Sequence, residues 1–263
     1  MTVIAKKSLG QNFLIDTNVL KKIVKITKIQ KKNILEIGPG TGNLTEYILQ
    51  ENPNFLTVVE KDENLCQKLF LRFKDKIKII NNDILKENLN NINSKEKFIV
   101  FGNLPYNIST EIICRWVLNL KETYWFDELI LMFQKEVAER ILAKENTSQF
   151  GRLSILINWR LNIKKVFDVG PNSFYPKPKI DSSILHFTPK REFQYFKNSK
   201  NIEIVTRTFF NQRRKMIKNP LKQLFKNPEE ISDKLNIDLN LRPQNLSILQ
   251  FYEIVKEYEK LRS

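Results

Sequence analysis

The sequence predicts an α/β protein with an open, doubly wound sheet, followed by a small all-helical domain. Through about the first two-thirds of the chain, apolar β-rich runs alternate with amphipathic helical patterns. The strand runs are almost continuously apolar, which indicates a parallel sheet covered on both faces. Beyond Pro189 only helical patterns remain. We therefore expect two domains, residues 1–190 and residues 191–263.

The elements of the first domain follow in a regular order. Five runs are predicted as strands: NILEI (33–37), FLTVVE (55–60), KIKII (76–80), KFIVFG (97–102) and ELILMF (128–133). The helical patterns among them cover Leu44–Gln50, Glu63–Phe73, Ser109–Leu120 and Lys135–Lys144. This alternation is typical of a doubly wound sheet.

The last part of the sheet domain is less regular. Residues 151–161, GRLSILINWRL, fit either a helix or a strand, because a short apolar run cannot be assigned by periodicity alone. Residues 163–169 and 182–188 are predicted strands. The loop between them contains three prolines, which cannot donate to a β-ladder. We expect a rigid surface loop there.

Four helical patterns make up the second domain: Ile202–Phe210, Arg214–Phe225, Glu229–Leu235 and Leu246–Leu261. Prolines punctuate them, and Ser247 is a candidate N-cap for the last helix. A bundle of roughly seventy residues is marginal on its own. We therefore expect it to pack on the sheet domain.

The composition indicates what kind of partner the protein binds and where it is found. Lys and Arg number 44 against 29 Asp and Glu, a net charge of +15 that favours a polyanionic partner such as RNA or an acidic membrane surface. Abundant Lys, Asn and Ile are also typical of AT-rich genomes, so compositional bias is an alternative explanation for part of the charge. No stretch resembles a signal peptide or a membrane span, which predicts a cytoplasmic protein without membrane association.

Few residues are available for metal or nucleophilic chemistry. The only cysteines are Cys66 and Cys114, and His186 is the single histidine. The cysteines lack CxxC spacing, so neither a disulfide framework nor a metal site is expected. His186 lies in a strand-like run and is interpreted as a packing or surface residue.

A glycine-rich turn follows the first predicted strand and precedes a helix. Its sequence is EIGPGTG (36–42), in which glycines let backbone amides approach a ligand and the helix start favours polar or anionic groups. The dinucleotide-binding pattern requires glycine at the sixth position counted from Gly38, but that position is Asn43. The turn therefore favours a nucleoside ligand over a nicotinamide cofactor.

Two carboxylates follow the next two strands. Glu60 lies about 20 residues after Gly38, the offset at which a carboxylate accepts ribose hydroxyls. Asp83 comes just after the third strand, where it is a candidate for binding the amine of an adenine ring. The alternatives are a helix N-terminal charge for Glu60 and a turn or cap residue for Asp83.

The most specific motif is Asn103-Leu104-Pro105-Tyr106, between the fourth predicted strand and a helix. The Asn103 carboxamide oxygen and a main-chain carbonyl near Leu104 or Pro105 are candidates to accept both hydrogens of an aromatic amine, which directs the nitrogen toward an incoming methyl group. Tyr106 is a candidate to stack on a base, a contact worth ~1–3 kcal/mol. The alternative is a turn with an aromatic plug.

These motifs together resemble the KsgA/Dim family of ribosomal RNA adenine dimethyltransferases, and the resemblance spans nearly the whole chain. The matching pieces are LGQNFL (9–14), EIGPGTGNLTE (36–46), VVEKD (58–62), NNDIL (81–85), FGNLPYNIST (101–110), FQKEVAERI (133–141), GRLSIL (151–156), FYPKPKIDSSI (174–184) and FNQRRKMIKN (210–219). The resemblance implies a Rossmann-like, class I fold that binds S-adenosylmethionine (SAM).

The resemblance also implies roles for individual residues. Those of the cofactor site are Asn12 and Leu14 in a segment that closes over SAM, Gly38 and Gly40 beneath its methionine part, Glu60 at the ribose, Asp83 at the adenine, and Asn103. Those of the catalytic site are Asn103, Leu104, Pro105, the stacking Tyr106, and Phe174 as a second aromatic facing the target base.

The implied activity is dimethylation of the N6 amines of two adjacent adenosines in the 3′-terminal hairpin loop of 16S rRNA. The expected partner is the immature small ribosomal subunit, and the enzyme is expected to be monomeric and to need no metal. Three alternatives remain: an Erm-type enzyme acting on 23S rRNA, a nicotinamide oxidoreductase, and a SAM-binding assembly factor with little catalysis. Leu104 and the FNQRRKMIKN segment favour the small-subunit enzyme over the Erm type.

A basic segment, Thr206–Gln223, is predicted to contact RNA. Its cations include Arg207, Arg213, Arg214, Lys215 and Lys218, with no Asp or Glu among them. If the segment is helical, its apolar residues, including Met216, can face the sheet domain while the cations face outward. The alternative is a solvated helix face.

Overall fold

The computed structural model describes residues 10–87, 97–120 and 123–262. These residues form two compact units. Of the described residues, the first comprises 10–87, 97–112, 123–138 and 163–189, and the second comprises 113–120, 139–162 and 190–262. The compact units thus divide the chain differently from the predicted boundary at residue 190. The assignment of catalysis and RNA binding to the two predicted domains stays a prediction.

The first unit is built on a seven-stranded sheet. In chain order the strands of the protein are β1 (Phe13–Leu14), β2 (Asn33–Ile37), β3 (Phe55–Glu60), β4 (Lys78–Asn81), β5 (Phe98–Asn103), β6 (Phe126–Gln134), β7 (Leu161–Val169), β8 (Phe174–Tyr175) and β9 (Ser182–Pro189). The sheet order is β4-β3-β2-β5-β6-β9-β7, while β1 and β8 form a separate antiparallel pair. Strands β2 to β6 pair in parallel, and β9 is antiparallel to β6.

The strand order reverses between β2 and β5. From β2 the chain moves outward through β3 and β4 and then returns to β5 on the other side of β2. Ile37 at the end of β2 is paired with Gly102 near the end of β5. In open α/β sheets, ligands bind at the carboxyl ends of the strands at such a reversal. The glycine-rich turn and the Asn-Leu-Pro-Tyr motif therefore leave the sheet from adjacent strands.

Ten helices accompany these strands in the described part of the chain. They are α1 (Thr17–Val24), α2 (Asn43–Gln50), α3 (Glu63–Phe73), α4 (Ser109–Asn119), α5 (Lys135–Leu142), α6 (Arg152–Arg160), α7 (Ser199–Asn211), α8 (Lys218–Leu224), α9 (Pro228–Leu235) and α10 (Ile248–Lys260). The strands and helices predicted within residues 33–144 all form, with ends shifted by no more than two residues. Ser247 caps α10 by accepting from the Gln250 N–H, as predicted.

The sheet is covered on both faces, as its apolar strands predict. Every residue of β2 is buried, and Val58 and Phe101 on the strands beside it are fully buried. Burial at about 25 cal/mol per Å² of apolar surface makes this layer the main source of stability for the first unit. Among the described residues, no helix has the length and apolar character needed to cross a membrane.

The ambiguous segment 151–161 forms helix α6 in the second unit, and only its last residue, Leu161, begins a strand. Nearly the whole circumference of α6 is buried, including Ile155, Trp159 and Arg160. A helix buried all round shows no amphipathic stripe. This explains why periodicity could not assign it.

The predicted helix Arg214–Phe225 is wrong in its first turn, because α8 begins only at Lys218. Pro220 explains the difference. In a helix starting at Arg214, Pro220 would lie beyond the first turn, where its ring clashes with the carbonyl four residues earlier. In α8 it lies within the first turn. Met216 lies in the break and is 52% exposed, so it does not belong to a buried apolar helix face.

The proline-rich loop lies largely on the surface, as predicted, and its buried residues are Ser173 and Phe174. A 3-10 turn at Pro171–Ser173 leads into β8, which pairs with β1 through Phe13↔Tyr175 and Leu14↔Phe174. The loop therefore contributes a short strand and a buried aromatic side chain to the first unit.

Candidate cofactor and base site

A cavity lies at the carboxyl ends of β2, β3 and β5, within the first unit. Ten residues singled out from the sequence line it: Asn12, Leu14, Gly38, Gly40, Glu60, Asp83, Asn103, Leu104, Pro105 and Tyr106. Phe174 is not among the lining residues. The structure thus brings together residues that are up to about 90 positions apart in the chain, and it does so at the predicted edge of the sheet.

The glycine-rich turn allows close approach of other groups to its backbone. Gly40 has a φ of +58°, and a Cβ there would lie 2.8 Å from the Phe13 ring. Gly42, with a φ of +81°, would place a Cβ 2.5 Å from the Phe73 ring of α3. Both positions combine a left-handed backbone with no room for a side chain, which is why glycine is required. Gly40 allows Phe13 to pack against the turn at the cavity, whereas Gly42 allows the start of α2 to pack against α3.

The segment carrying β1 lies over this turn and is tied to it by side-chain amides. Asn43 Nδ2 donates to the Leu14 carbonyl at 2.8 Å, and Asn103 Nδ2 donates to the Asn12 carbonyl at 2.9 Å. The Phe13 ring packs against Gly40. Asn12 and Leu14 thereby become part of the cavity wall; that they close over SAM stays a prediction.

Glu60 ends β3 with its carboxylate in the cavity wall. Its oxygens accept from the Gly40 N–H at 3.2 Å and the Asp62 N–H at 2.9 Å. Burial raises the pKa of this carboxyl, while the backbone donors favour its charged form. The carboxylate is thus held against the glycine-rich turn.

Glu36 is a second buried carboxyl in the cavity wall, and it is not among the predicted site residues. It lies in β2, and its main partner is the Thr45 hydroxyl at 2.6 Å. Burial raises the pKa of Glu36 to about 8, and the nearby charge of Glu60 adds to the shift. Glu36 is therefore mostly neutral at pH 7. The sequence did contain a signal for this site: Glu36 is an ionisable residue within a strand that is predicted to be buried, and such residues are often functional.

Asp83 follows β4 and lines the cavity with its carboxylate paired to Lys61. The two side chains are 2.8 Å apart, and the other Asp83 oxygen accepts from the Leu85 N–H. The hydrogen bond from Lys61 holds the pKa of Asp83 below its ordinary value. Asp83 is a charged acceptor at the predicted adenine position, with Lys61 as a neighbour that the sequence analysis did not include.

Asn103 and Leu104 both line the cavity, and each has an acceptor oxygen to consider. Because the Asn12 carbonyl can only accept, the Asn103 nitrogen must face it, and Oδ1 points the other way. The Pro105 carbonyl already accepts from the N–H groups of Ile108 and Ser109. Within the described part of the chain, no donor reaches Asn103 Oδ1 or the Leu104 carbonyl. The main-chain acceptor left open between Leu104 and Pro105 is therefore that of Leu104.

Tyr106 lines the cavity half-buried, and its hydroxyl is 2.6 Å from the Ser182 hydroxyl. Burial raises the pKa of the phenol, so it stays protonated at neutral pH. Phe174 is placed elsewhere: it is 3% exposed and belongs to the hydrophobic core with Leu14, while Tyr175 is 56% exposed. The structure does not bring Phe174 to the cavity, because its pairing in β8 turns the ring into the core.

The predicted RNA-contacting cations differ in their surroundings. Arg213 donates to the Ser148 carbonyl and, at 3.2 Å, to the Gln244 side chain. Lys218 is paired with Glu229 at 2.8 Å. By contrast, the other three predicted cations are exposed and have no partner among the described residues; they are Arg207, Arg214 and Lys215.

His186 is hydrogen-bonded to Glu128 at 2.6 Å and does not line the cavity. Glu128 also accepts from the Thr27 hydroxyl at 2.8 Å. The histidine therefore joins β9 to β6, consistent with its interpretation as a packing residue.

Comparison with known proteins identifies the family. The model of the family described as ribosomal RNA adenine dimethylase matches residues 3–260. A Pelagibacter ubique (strain HTCC1062) protein named ribosomal RNA small subunit methyltransferase A is 59% identical over 262 residues, 100% of both chains. A protein of the same name from Wolbachia sp. subsp. Drosophila simulans (strain wRi) is 39% identical, covering 97% of this chain and 94% of the relative.

Solved structures of methyltransferases resemble this chain in fold. A dimethyladenosine transferase from Plasmodium falciparum superposes with a TM-score of 0.78 and 25% identity, covering 94% of this chain and 98% of that one. The 23S rRNA methyltransferase ErmE has a TM-score of 0.67 at 22% identity, covering 94% and 100%, and shows a shared fold. This chain belongs to the ribosomal RNA adenine dimethylase family, whose members are SAM-dependent methyltransferases with a class I, Rossmann-like fold.

Proposed function

We propose that this enzyme dimethylates the N6 amines of two adjacent adenosines in the 3′-terminal hairpin loop of 16S rRNA, acting as a monomer on immature small subunits in the cytoplasm. Family membership and the small-subunit names of its relatives support the substrate. The observation that carries the chemistry is the side chain of Asn103, which lines the cavity, donates its amide nitrogen to the Asn12 carbonyl and has no partner for its oxygen among the described residues.

The residues around the cavity suit SAM. Glu60 would accept hydrogen bonds from ribose hydroxyls, and Asp83 would accept from the adenine amine. Gly38 and Gly40, which line the cavity, would present backbone beneath the methionine part. Bound SAM supplies a methyl group on a sulfonium, a reactive donor that needs no metal.

The target amine would be held by two acceptors. Asn103 Oδ1 and the Leu104 carbonyl would take its two hydrogens and direct the nitrogen toward the methyl carbon. In-line displacement then depends on alignment and electrostatics, which fixed acceptors provide without reorganisation. The methylated nitrogen is acidic enough to lose its proton to water, so no general base is required.

The adenosine must leave its stack to reach this edge of the sheet, which is easiest in a hairpin loop. Tyr106 would then stack on the base. Outside the cavity, we assign phosphate contacts first to Arg207, Arg214 and Lys215, because they have no partner to give up among the described residues. Arg213 and Lys218 would have to share or exchange the partners they hold.

The test is transfer of tritiated methyl groups from SAM to purified RNA particles. Immature small subunits should be labelled, and large-subunit RNA should not. Labelling of large-subunit RNA alone would favour the Erm-type alternative. Binding of SAM and small subunits without any label would favour an assembly factor, and binding of NAD without SAM would favour the oxidoreductase.

A further inference from the structure

We infer that Ser182 is a positioning residue for methyl transfer, because its hydroxyl fixes the ring of Tyr106 in the orientation that stacks on the target adenine. The inference rests on the proposed function, since it concerns the same base site. Ser182 does not line the cavity. It acts only through Tyr106.

The anchor is rigid. Ser182 is fully buried and opens β9, where it is paired with Gln134 at the end of β6. The next backbone hydrogen bond, from Lys135 N–H to the Asp181 carbonyl at 3.0 Å, closes the same corner. Because Ser182 is buried in a strand that is paired with its neighbour, its hydroxyl has little freedom to move.

The residue it holds is on a loop. Tyr106 lies between the end of β5 and the start of α4, with its backbone next to the Pro105 carbonyl that caps the helix. The hydroxyl-to-hydroxyl distance of 2.6 Å ties the far end of the ring to β9. The ring is therefore held at both ends, by the loop backbone and by Ser182. Binding that must first order a mobile ring is weaker by the entropy lost. The bond to Ser182 orders the Tyr106 ring before the base arrives, and so it preorganises the stacking contact.

The adjacent residue supplies a matched control. Ser183 is equally buried but faces the other side of the strand, where its hydroxyl donates to Asp168 at 2.6 Å. Replacing either serine by alanine removes one buried hydroxyl and one hydrogen bond. Only Ser182→Ala releases Tyr106.

The experiment compares Ser182→Ala, Tyr106→Phe, the double variant and Ser183→Ala. Methyl transfer to small subunits is measured at saturating SAM, together with SAM affinity and thermal unfolding. A neutral hydrogen bond is worth ~1 kcal/mol, so Ser182→Ala and Tyr106→Phe should each slow transfer several-fold, up to about tenfold. The double variant should be no slower than the slower single one. SAM affinity should not change, and Ser183→Ala should transfer at the wild-type rate.

Three results would overturn the inference: wild-type transfer by Ser182→Ala, equal slowing by Ser183→Ala, or single effects that multiply in the double variant. Multiplying effects would mean that the two hydroxyls act separately. If the wild-type enzyme itself labels no small-subunit RNA, the proposed function fails, and this inference fails with it. The two failures are thus distinguished by the wild-type reaction.

Discussion

The side-chain nitrogen of Asn103 donates a hydrogen bond to the main-chain carbonyl of Asn12, with the two atoms 2.9 Å apart. One contact therefore does two things. It ties the segment over the cavity to the carboxyl end of β5, and it leaves the Asn103 oxygen as an acceptor with no partner among the described residues. Under the proposed function, the same side chain would link closure over the cofactor to alignment of the amine.

Asn103→Ala should abolish methyl transfer while leaving SAM affinity within about tenfold of wild type, or ~1.4 kcal/mol. The carboxamide is needed chiefly to align the target amine, and the cofactor has other contacts. Transfer rates at saturating RNA and calorimetry with SAM measure the two effects. Near-normal turnover would remove Asn103 from the proposed chemistry.

Asn43→Ala is the matched variant, because Asn43 also donates a side-chain amide to the covering segment, at the Leu14 carbonyl. It loses an anchor of the segment but no acceptor for the amine. SAM affinity should fall by several-fold, about the value of one hydrogen bond, while the maximal transfer rate is retained. If both variants lose only SAM affinity, Asn103 is an anchor and nothing more.

Glu60→Gln should weaken SAM binding by about tenfold or more, since hydrogen bonds to a charged acceptor are worth ~1.5–3 kcal/mol. Glu63→Ala is the control. It removes the same charge from an exposed residue in the first turn of α3 that does not line the cavity. Calorimetry should show a larger dissociation constant for SAM with the Glu60 variant and an unchanged one with the Glu63 variant. Equal constants for both variants and wild type would return Glu60 to a structural role.

Glu36→Gln should make stability less dependent on pH. The pKa of Glu36 is about 8 in the folded protein against an ordinary 4.5, so folding favours the protonated form. Its contribution is fully present below pH 4.5 and is lost as the pH rises through 8, because the unfolded chain then binds fewer protons. Glutamine keeps a partner for Thr45 and carries no charge.

Thermal unfolding of the two proteins between pH 5 and pH 8.5 measures this effect. The melting temperature of the wild type should fall more steeply with pH than that of Glu36→Gln, and the two curves should converge toward pH 5. Parallel curves would show that Glu36 is ionised in the folded protein across this range.

Arg214→Ala combined with Lys215→Ala should weaken binding to small subunits and reduce the log–log salt slope by ~0.7–0.9 for each lost phosphate contact. Lys74→Ala with Lys76→Ala removes the same charge from exposed residues outside the predicted RNA-binding segment. Binding is measured at several salt concentrations. If both pairs change the slope equally, the effect is one of net charge and not of this surface.

Arg213→Ala should behave differently. Its guanidinium joins Ser148 to Gln244 within the second unit. Loss of the Arg213 side chain should lower the melting temperature, because the Ser148 carbonyl and the Gln244 side-chain oxygen both lose their donor. A salt slope reduced as much as in the Arg214 and Lys215 variant, with unchanged melting, would show that Arg213 contacts phosphate directly.

Much of the fold and of the site could be predicted because each depends on local sequence. The apolar strands fix the sheet, and the residues that follow β2, β3, β4 and β5 must gather at its carboxyl edge. The glycine-rich turn, Glu60 and Asn103 therefore lie where the motifs predicted. The segment around Asn12 was placed by family resemblance, since nothing local in its sequence indicates a cover for the cavity.

What could not be predicted depends on contacts between distant residues. The bond between Tyr106 and Ser182 joins positions 76 residues apart, and its existence depends on the register of β9 against β6. The burial of Phe174 follows from pairing with Leu14, which no periodicity in a two-residue strand reveals. The raised pKa of Glu36 likewise follows from its complete burial in the folded sheet.

The most direct test of the central claim is mass spectrometry of nucleosides from small-subunit RNA after reaction with SAM and the enzyme. Our account predicts N6,N6-dimethyladenosine at two adjacent positions of the 3′-terminal hairpin with the wild type, and none with Asn103→Ala. Methylation at another atom or in another RNA, or dimethyladenosine formed equally by the Asn103 variant, would contradict it.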